Sequence, residues 1–294
     1  MNVLTINHLT KKYAAITAVN NLSLTVEKGN IYGFLGPNGS GKTTTLGIIL
    51  GILNATSGDY HWFDGQDSET ARRRIGALLE TPNFYPYMNA VDNLKVVAHI
   101  KKVSQPKIDE LLQLVDLAHR KYYAFKTYSL GMKQRLAIAA AMIGDPDLLI
   151  FDEPTNGLDP QGIAEVRGII SKIADTGKTI LMASHILAEV EKVCTHVAII
   201  KQGNLLATGP VGSILSNDRL IEINADDQVA LRALLTTHPQ VRDIQSKKHC
   251  LLLAVDPALS PSTLNQLAFD KGITLTHLAG KRKSLEAEFL EITK

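Results

Sequence analysis

The chain has 294 residues, 31 of them basic and 29 acidic, and its formal net charge is +2. This length accommodates one large domain or two of moderate size, either of which buries a substantial core. Because nucleic-acid-binding proteins usually carry a dense basic surface, the balanced charge argues against a nucleic-acid partner. The N-terminus lacks the basic start and long apolar region of a secretion signal, and no stretch approaches the ~20 consecutive apolar residues of a membrane-spanning helix. We therefore expect a cytoplasmic protein.

Short apolar strands alternate with helical patterns over the first two thirds of the chain, which is typical of an α/β fold. The predicted strands of this part are 3–9, 18–26, 31–35, 60–63, 75–79, 148–151, 179–183, 197–201 and 204–208, and its predicted helices are 43–50, 91–101, 108–117, 133–143, 163–174 and 186–193.

The composition changes near Gly209-Pro210, and a second pattern of elements begins at about residue 220. Its order of β-α-β-β-α-β fits a small split βαβ sandwich. We therefore predict two domains, residues 1–215 and 220–294, of which the second is a small α+β domain that ends in an amphipathic segment at 284–290. The predicted elements of this second domain are strands 220–223, 241–244, 250–255 and 273–278 and helices 228–236 and 261–269.

The segment from Gly36 to Thr44 fits the pattern G-x-x-x-x-G-K-[ST] in full. Its glycines allow backbone conformations that a Cβ atom disfavours, so that successive N–H groups turn toward the phosphates. Lys42 adds a positive charge for the outer phosphates, and the hydroxyl of Thr43 is placed to bind Mg²⁺. The segment follows a predicted strand and opens a predicted helix, which is the order that a phosphate-binding loop requires. The motif therefore predicts a nucleoside triphosphate site.

Polar side chains follow two of the predicted buried strands at their carboxyl ends. Asp152 and Glu153 end one strand, where Asp152 is predicted to hold Mg²⁺ and Glu153 to polarise or deprotonate the water that attacks the γ-phosphate. His185 follows the next strand, where open α/β sheets bind their ligands, and is predicted to contact the γ-phosphate and align this water. An apolar strand that ends in Asp-Glu is common in itself, so this assignment depends on the phosphate loop.

The segment Tyr128–Arg135, called the signature segment below, reads Tyr-Ser-Leu-Gly-Met-Lys-Gln-Arg. Ser129 is predicted to cap a helix that starts near Lys133, which offers a hydroxyl, backbone N–H groups and the helix dipole to a second phosphate. Taken alone, this serine is better explained as an ordinary helix cap.

Together these segments resemble the nucleotide-binding subunit of ATP-binding cassette (ABC) transporters over about residues 1–215. The signature segment resembles the motif L-S-G-G-Q and its polar continuation, which separates this family from other phosphate-loop ATPases. The resemblance implies a mixed-sheet α/β core, an antiparallel β subdomain and a helical subdomain that carries the signature. It also implies an ATP-binding and ATP-hydrolysing subunit that powers a membrane transporter.

The resemblance further implies partners and site residues. In the family, two subunits form a head-to-tail dimer in which each signature closes over the ATP held by the partner's phosphate loop. A separate permease with several membrane spans would hold the chain at the inner face of the cell membrane. The resemblance assigns ATP binding to Tyr13, Gly36, Asn38, Gly39, Ser40, Gly41, Lys42, Thr43, Thr44, Ser129, Gly131 and Asp159, catalysis to Glu153, His185 and Glu80, and Mg²⁺ binding to Thr43, Asp152 and Glu80.

Three positions depart from the family pattern. Glu80 stands where the family usually has a glutamine that contacts Mg²⁺ and senses the membrane partner, so it adds a negative charge beside the other carboxylates. Leu130 replaces a glycine of the signature, and Met132 replaces its glutamine.

Glu80, the segment 81–87 and the signature segment together resemble ATPases of bacterial exporters linked to bacitracin resistance and lantibiotic self-immunity. This resemblance implies export of a peptide antibiotic, a drug or a similar compound. The alternative is a soluble cassette ATPase that acts on ribosomes or DNA, although the chain lacks the tandem cassettes and long heptad arms of such proteins. The domain at 220–294 is predicted to be a structural or dimer-supporting appendage, and the alternative is the sensing of a small effector.

Overall fold

A computed structural model describes residues 1–66, 68–79, 81–214, 219–256, 258–281 and 289. The chain divides into two compact units, Met1–Val211 and Gly212–Ile292. In the first unit, the strands are β1 (Asn2–Tyr13), β2 (Ile16–Glu27), β3 (Ile31–Leu35), β4 (Ser57–Trp62), β5 (Ile75–Leu78), β6 (Leu148–Asp152), β7 (Thr179–Ser184), β8 (His196–Lys201) and β9 (Asn204–Pro210). The helices between residues 1 and 214 are α1 (Lys42–Ile49), α2 (Ser68–Arg73), α3 (Ala90–Ile100), α4 (Ile108–Leu114), α5 (Leu130–Met142), α6 (Pro160–Ala174), α7 (Leu187–Val193) and α8 (Val211–Ile214). Two 3₁₀ turns lie at Ala118–Arg120 and Phe125–Thr127.

A central sheet has the strand order β5-β6-β7-β3-β8-β9 among the described residues. The pairs from β5 to β8 are parallel, and β9 is antiparallel to β8. Every residue of β3, β6 and β7 is buried, which explains why these strands are continuous apolar runs rather than alternating ones. Because parallel strands share one direction, the carboxyl ends of these three strands meet at one edge.

A second sheet of the same unit is antiparallel, in the order β2-β1-β4. Its inward residues, among them Leu4, Leu22 and Trp62, belong to one hydrophobic cluster with Phe34 of β3 and Ile48 of α1. This shared core fixes the antiparallel sheet against the strand and helix that flank the segment Gly36–Thr44.

The helices between β5 and β6 form a further part of the first unit. Among them, α5 is buried on nearly all sides, since residues 134–139 and 141–142 are all buried. It contacts β5, α3, α4 and α6, and a helix that is covered on every side needs apolar or paired side chains all round. The buried Arg135 meets this need in part, because Nη1 donates to the carbonyl oxygens of Val115 and Asp116.

The second unit is a separate α+β sandwich with its own core. Its antiparallel sheet has the order β11-β12-β10-β13, and the strands carry Ile221, Ile223 and Leu253 inward against Leu231 and Leu264 of the two helices. Its elements are β10 (Arg219–Ala225), α9 (Gln228–Thr236), β11 (Val241–Ser246), β12 (Leu251–Val255), α10 (Pro261–Asp270) and β13 (Leu275–Lys281).

The predicted fold class is confirmed: the chain has a mixed α/β core, an antiparallel sheet, a helical part that carries the signature segment, and an α+β unit in the C-terminal region. The prediction that the signature helix starts near Lys133 was wrong by three residues, because Ser129 accepts a hydrogen bond from the Met132 N–H and α5 therefore begins at Leu130. The predicted amphipathic segment at 284–290 lies outside the described residues except for Phe289. Among the described helices, none is both long and apolar enough to cross a bilayer.

Gly76 allows α5 to approach the central sheet closely. A Cβ atom at this position of β5 would overlap the Ala141 carbonyl oxygen of α5 and lie 2.8 Å from Leu149 Cδ2. Because the backbone atoms of a packed helix cannot shift without distorting it, we expect Gly76→Ala to lower the free energy of unfolding by about 1–3 kcal/mol. The measurement is the thermal unfolding midpoint.

The exposed Gly168 provides a matched control, since it lies in α6 and a Cβ there would meet nothing within 4 Å. Glycine in a helix interior is less favourable than alanine by roughly 0.5–1 kcal/mol, so Gly168→Ala should raise the midpoint. Equal midpoints for the two variants would contradict the close approach at Gly76.

Candidate functional site

The segment Gly36–Thr44 forms a loop that leads from β3 into α1. Gly39 and Gly41 have positive φ angles of 78° and 104°, a backbone region that residues with a Cβ rarely adopt. At Gly41 a Cβ would also overlap the carbonyl oxygen of Ala18 in β2. The loop therefore depends on glycine for its turn and for its close contact with the antiparallel sheet. The helix α1 begins at Lys42, so its first N–H groups face the loop.

Lys42 is buried, with 5% of its surface exposed, and its ammonium group has three oxygen neighbours. Its Nζ donates to the carbonyl oxygens of Gly36 at 2.8 Å and Pro37 at 3.3 Å, and it lies 3.4 Å from Glu153 Oε1. The loop thus bends over the lysine and holds its charge in place. The hydroxyl of Ser40 is also buried in the loop and makes no hydrogen bond among the described residues, so it is available to a bound phosphate.

Glu153 connects the ends of two neighbouring strands. It follows β6 with a φ of 49°, and its backbone N–H donates to the Ala183 carbonyl of β7. Its Oε2 lies 2.8 Å from His185 Nδ1, and because a carboxylate only accepts, the proton of the imidazole lies on Nδ1. One carboxylate therefore contacts both the lysine of the loop and the histidine after β7.

A cavity of about 350 Å³ lies beside these groups and is called the carboxylate cavity below. Asp152 is 2% exposed, and Thr43 is exposed at the start of α1. A hydroxyl and carboxylates are hard oxygen donors, which is the donor set that Mg²⁺ prefers together with substrate phosphates. The residues present therefore fit a Mg²⁺ ion that arrives with a nucleotide. The cavity is lined by Thr43, Thr81, Pro82, Leu130, Gln134, Asp152, Glu153 and Asn156.

A second cavity of about 470 Å³, called the signature cavity, lies at the N-terminal ends of α5 and α6. Ser129 and Asp159 line it and cap these helices, since Ser129 Oγ accepts from Met132 N at 3.2 Å and Asp159 Oδ1 from Gly162 N at 2.8 Å. Gly131 also lines the signature cavity. Two helix N-termini with partial positive charge thus face one cavity, an arrangement that suits an anion.

The remaining predicted site residues lie as follows. Asn38, Gly39 and Thr44 belong to the loop or the first turn of α1. Tyr13 ends β1 with 45% of its surface exposed, and the Lys11 ammonium lies 4.8 Å from the centre of its ring. Glu80 lies outside the described residues.

Several residues that line these cavities were not predicted as site residues, and three of them bear on the proposals below. Gln134 and Asn156 line the carboxylate cavity, and Leu130 lines both cavities. Leu130 and Gln134 lie within the signature segment, but their role depends on which face of α5 meets the sheet. That face becomes visible only once the helix is packed.

Strand, glycine-rich loop and helix, together with the carboxylates at the end of a neighbouring strand, define a phosphate-loop nucleoside triphosphatase. Two solved structures have the same fold. An ATP-binding subunit of an ABC transporter has a TM-score of 0.65 and 29% identity, covering 72% of this chain and 91% of that one. A dimeric bacterial ABC transporter cassette has a TM-score of 0.63 and 24% identity, covering 71% of this chain and 98% of that one.

The sequence comparisons identify the family. The model of the ABC transporter family matches residues 19–156. The bacitracin transport ATP-binding protein BcrA of Bacillus licheniformis is 38% identical over 290 residues, which cover 97% of this chain and 95% of the relative. The lantibiotic transport ATP-binding protein SrtF of Streptococcus pyogenes is 43% identical over 205 residues, which cover 69% of this chain and 89% of the relative. The chain belongs to the ATP-binding subunits of ABC transporters, and it binds and hydrolyses ATP.

The position of Lys42 leads to a direct test of nucleotide binding. Removing its charge by Lys42→Met should weaken ATP binding about tenfold to hundredfold, since a charge-assisted hydrogen bond contributes roughly 1.5–3 kcal/mol. The measurement is a titration with a fluorescent ATP analogue. Lys28→Met, at an exposed position after β2, is the matched control and should bind as the unaltered chain does. Equal affinity in the two variants would contradict the role of Lys42.

Proposed function

We propose that this chain is the ATPase of an exporter for a peptide antibiotic, a drug or a similar compound, and that Glu153 is its catalytic base. The observation that carries the catalytic assignment is the Glu153 carboxylate held between Lys42 Nζ and His185 Nδ1 beside the phosphate loop. The named transport functions of the bacitracin and lantibiotic relatives support the class of cargo. They give no support to the alternative of a ribosome- or DNA-acting ATPase.

Within this proposal, the loop from Gly36 to Thr44 binds the phosphates, and Tyr13 stacks on the adenine. Thr43 and Asp152 hold Mg²⁺, which supplies positive charge to the phosphates when it is bound. The exposed ring of Tyr13 and the oxygen donors of the carboxylate cavity support these roles. Glu80, the remaining proposed ligand, rests on the resemblance alone.

Hydrolysis requires a group that accepts a proton from the attacking water. Glu153 is 19% exposed at its side chain, so water reaches it while most of it is shielded. When a phosphate oxygen binds the ammonium group of Lys42, it replaces the carboxylate of Glu153 there. The carboxylate then faces the phosphate. His185, 35% exposed at its side chain, remains on the other carboxylate oxygen and keeps the base oriented.

We propose a homodimer, or a pseudo-dimer with a similar chain, that holds ATP at its interface. Each chain has one phosphate loop and, apart from it, a signature cavity at two helix N-termini lined by Ser129, Gly131 and Asp159. One ATP needs only one phosphate loop, so the signature cavity is explained if it receives the ATP of a partner. The dimeric cassette with the same fold supports this arrangement.

We also propose that an aromatic surface of the first unit binds a multi-span permease and so holds the chain at the inner face of the membrane. This surface consists of Tyr85, Tyr87, Tyr122 and Tyr123, which are 48%, 69%, 72% and 52% exposed. Exposed tyrosines are enriched in protein interfaces. Four exposed tyrosines on two adjoining segments therefore favour a protein partner.

Backbone hydrogen bonds join the two segments that carry these tyrosines. Lys126 N donates to the Pro86 carbonyl at 2.9 Å, and Ala90 N donates to the Lys121 carbonyl at 3.1 Å. The buried Asn93 fixes the first pair, because its Oδ1 accepts from Tyr85 N at 2.9 Å. The two segments are therefore held together by contacts within this chain.

The second unit, with its own hydrophobic core, is proposed to be the accessory domain predicted at 220–294, and the cassette is proposed to span 1–215. The solved cassette that covers 72% of this chain supports a C-terminal region beyond the common fold.

The change Glu153→Gln tests the catalytic assignment. It removes the proton acceptor and keeps the shape, so the turnover number should fall by a factor of about 10²–10⁴ while ATP still binds. ATP should then stay bound to the protein without being hydrolysed. The dimer should become detectable by light scattering after gel filtration in the presence of ATP. The measurements are phosphate release and molar mass.

Glu110→Gln, on the exposed face of α4, is the matched control and should hydrolyse ATP normally. Undiminished phosphate release by the Glu153 variant would show that the proposed base is wrong. A monomer that persists with trapped ATP would contradict the proposed dimer.

The aromatic surface is tested by the double change Tyr85→Ala and Tyr87→Ala. Loss of aromatic contacts at the proposed interface should weaken binding to the permease partner about tenfold or more. The measurements are co-purification with that permease and the stimulation of this chain's ATPase rate by the permease. The isolated chain should hydrolyse ATP at its usual rate.

Ile52→Ala alters another large exposed apolar side chain of the first unit, 64% exposed, and should leave permease binding unchanged. Equal binding by the tyrosine variant and this control would locate the permease contact elsewhere.

A further inference from the structure

Gln134 has a buried polar atom that nothing in the described part of the chain satisfies. The residue is 4% exposed, in the second turn of α5, and its Oε1 makes no hydrogen bond among the described residues. Leaving such a group unpaired in a protein interior costs about 1–3 kcal/mol. A partner for this oxygen is therefore expected in the working state of the protein.

The surroundings of Gln134 indicate what this partner is. The residue lines the carboxylate cavity with Thr43, Asp152 and Glu153. The lining of this cavity includes two carboxylates, which only accept hydrogen bonds, together with hydroxyl and amide groups and two apolar side chains. Lys42, the nearby cation, already has three oxygen neighbours. The two carboxylates therefore favour a cationic ligand that also donates a hydrogen bond to the amide oxygen of Gln134.

Hydrated Mg²⁺ is such a ligand. The ion keeps several water molecules when it binds with a nucleotide, and each of these waters donates its protons because its lone pair points to the metal. A neutral amide oxygen accepts from such a water without adding a further negative charge to a cavity that already contains two carboxylates. Outer groups of this kind orient the ligands of a metal and affect its affinity.

We propose that Gln134 is a positioning residue whose Oε1 accepts a hydrogen bond from a water ligand of nucleotide-bound Mg²⁺. The inference rests on the proposed metal site at Thr43 and Asp152. Ser129, which caps the N-terminus of α5, lines the signature cavity. In this proposal, one helix therefore contacts both the metal of its own chain and the cavity that receives the ATP of the partner.

The experiment measures metal affinity without turnover. Mn²⁺ replaces Mg²⁺, and the protein is in excess over ADP so that little free nucleotide competes for the metal. Electron paramagnetic resonance reports the free Mn²⁺. Gln134→Leu should bind Mn²⁺ about tenfold more weakly than the unaltered chain, on the scale of losses at such outer positions. ADP affinity without metal should stay the same. Gln134→Glu keeps an acceptor oxygen and should retain Mn²⁺ affinity.

The glutamate variant separates this role from simple packing. If Gln134 only fills space, a buried carboxylate is harmful and leucine is harmless, so the order of the two variants reverses. Gln113→Leu, on the exposed face of α4, is the matched control and should bind Mn²⁺ normally. Thermal unfolding without nucleotide checks the fold, and Gln134→Met replaces the leucine variant if the latter does not fold.

Two failures are distinguishable. Mn²⁺ affinity of the leucine or methionine variant within twofold of the unaltered chain overturns this inference and leaves the metal site intact. Failure of the unaltered chain to bind Mn²⁺ together with ADP overturns the proposed metal site itself, and the role of Gln134 with it.

Discussion

The site depends on the parallel pairing of β6, β7 and β3 as neighbours in the central sheet. In this register Asp152 lies opposite Ala183 and Leu35 lies opposite Ser184, so three strand ends finish at the same level. The lysine after β3, the glutamate after β6 and the histidine after β7 then meet without any long-range loop. A slip of one residue would shift a strand end by roughly 3.3 Å and turn its side chains to the other face of the sheet.

The backbone of Glu153 shows how closely this edge is constrained. A glutamate with a φ of 49° is uncommon, and its conformation persists because β7 accepts its N–H and because two side chains hold its carboxylate. Lys42 contacts one carboxylate oxygen and His185 the other. The carboxylate of the proposed base is therefore held at both oxygens in the absence of a nucleotide.

The parts of the site that follow from local chemistry were predictable from the sequence. The loop from Gly36 to Lys42 encodes its own geometry in glycines, and Asp152 and Glu153 follow an apolar strand that could only be buried. The pairing of Glu153 with His185 was not predictable as a contact, because it depends on which strands are neighbours. Gln134 gave no signal, since a glutamine in a helix is usually exposed and only the packing of α5 on all sides shows that this one is buried.

The substitution of glycine by Leu130 in the signature segment has a structural explanation that connects the two cavities. A Cβ added to Gly157 would lie 3.2 Å from Leu130 Cδ2, and Gly157 has a φ of 74°. The leucine, 44% exposed, thus lies beside the loop that follows Glu153, and it lines both cavities. This loop leads directly from the proposed base to Asp159, which caps α6 at the signature cavity. The signature segment therefore approaches the loop behind the proposed base of the same chain through an apolar side chain that the usual glycine lacks.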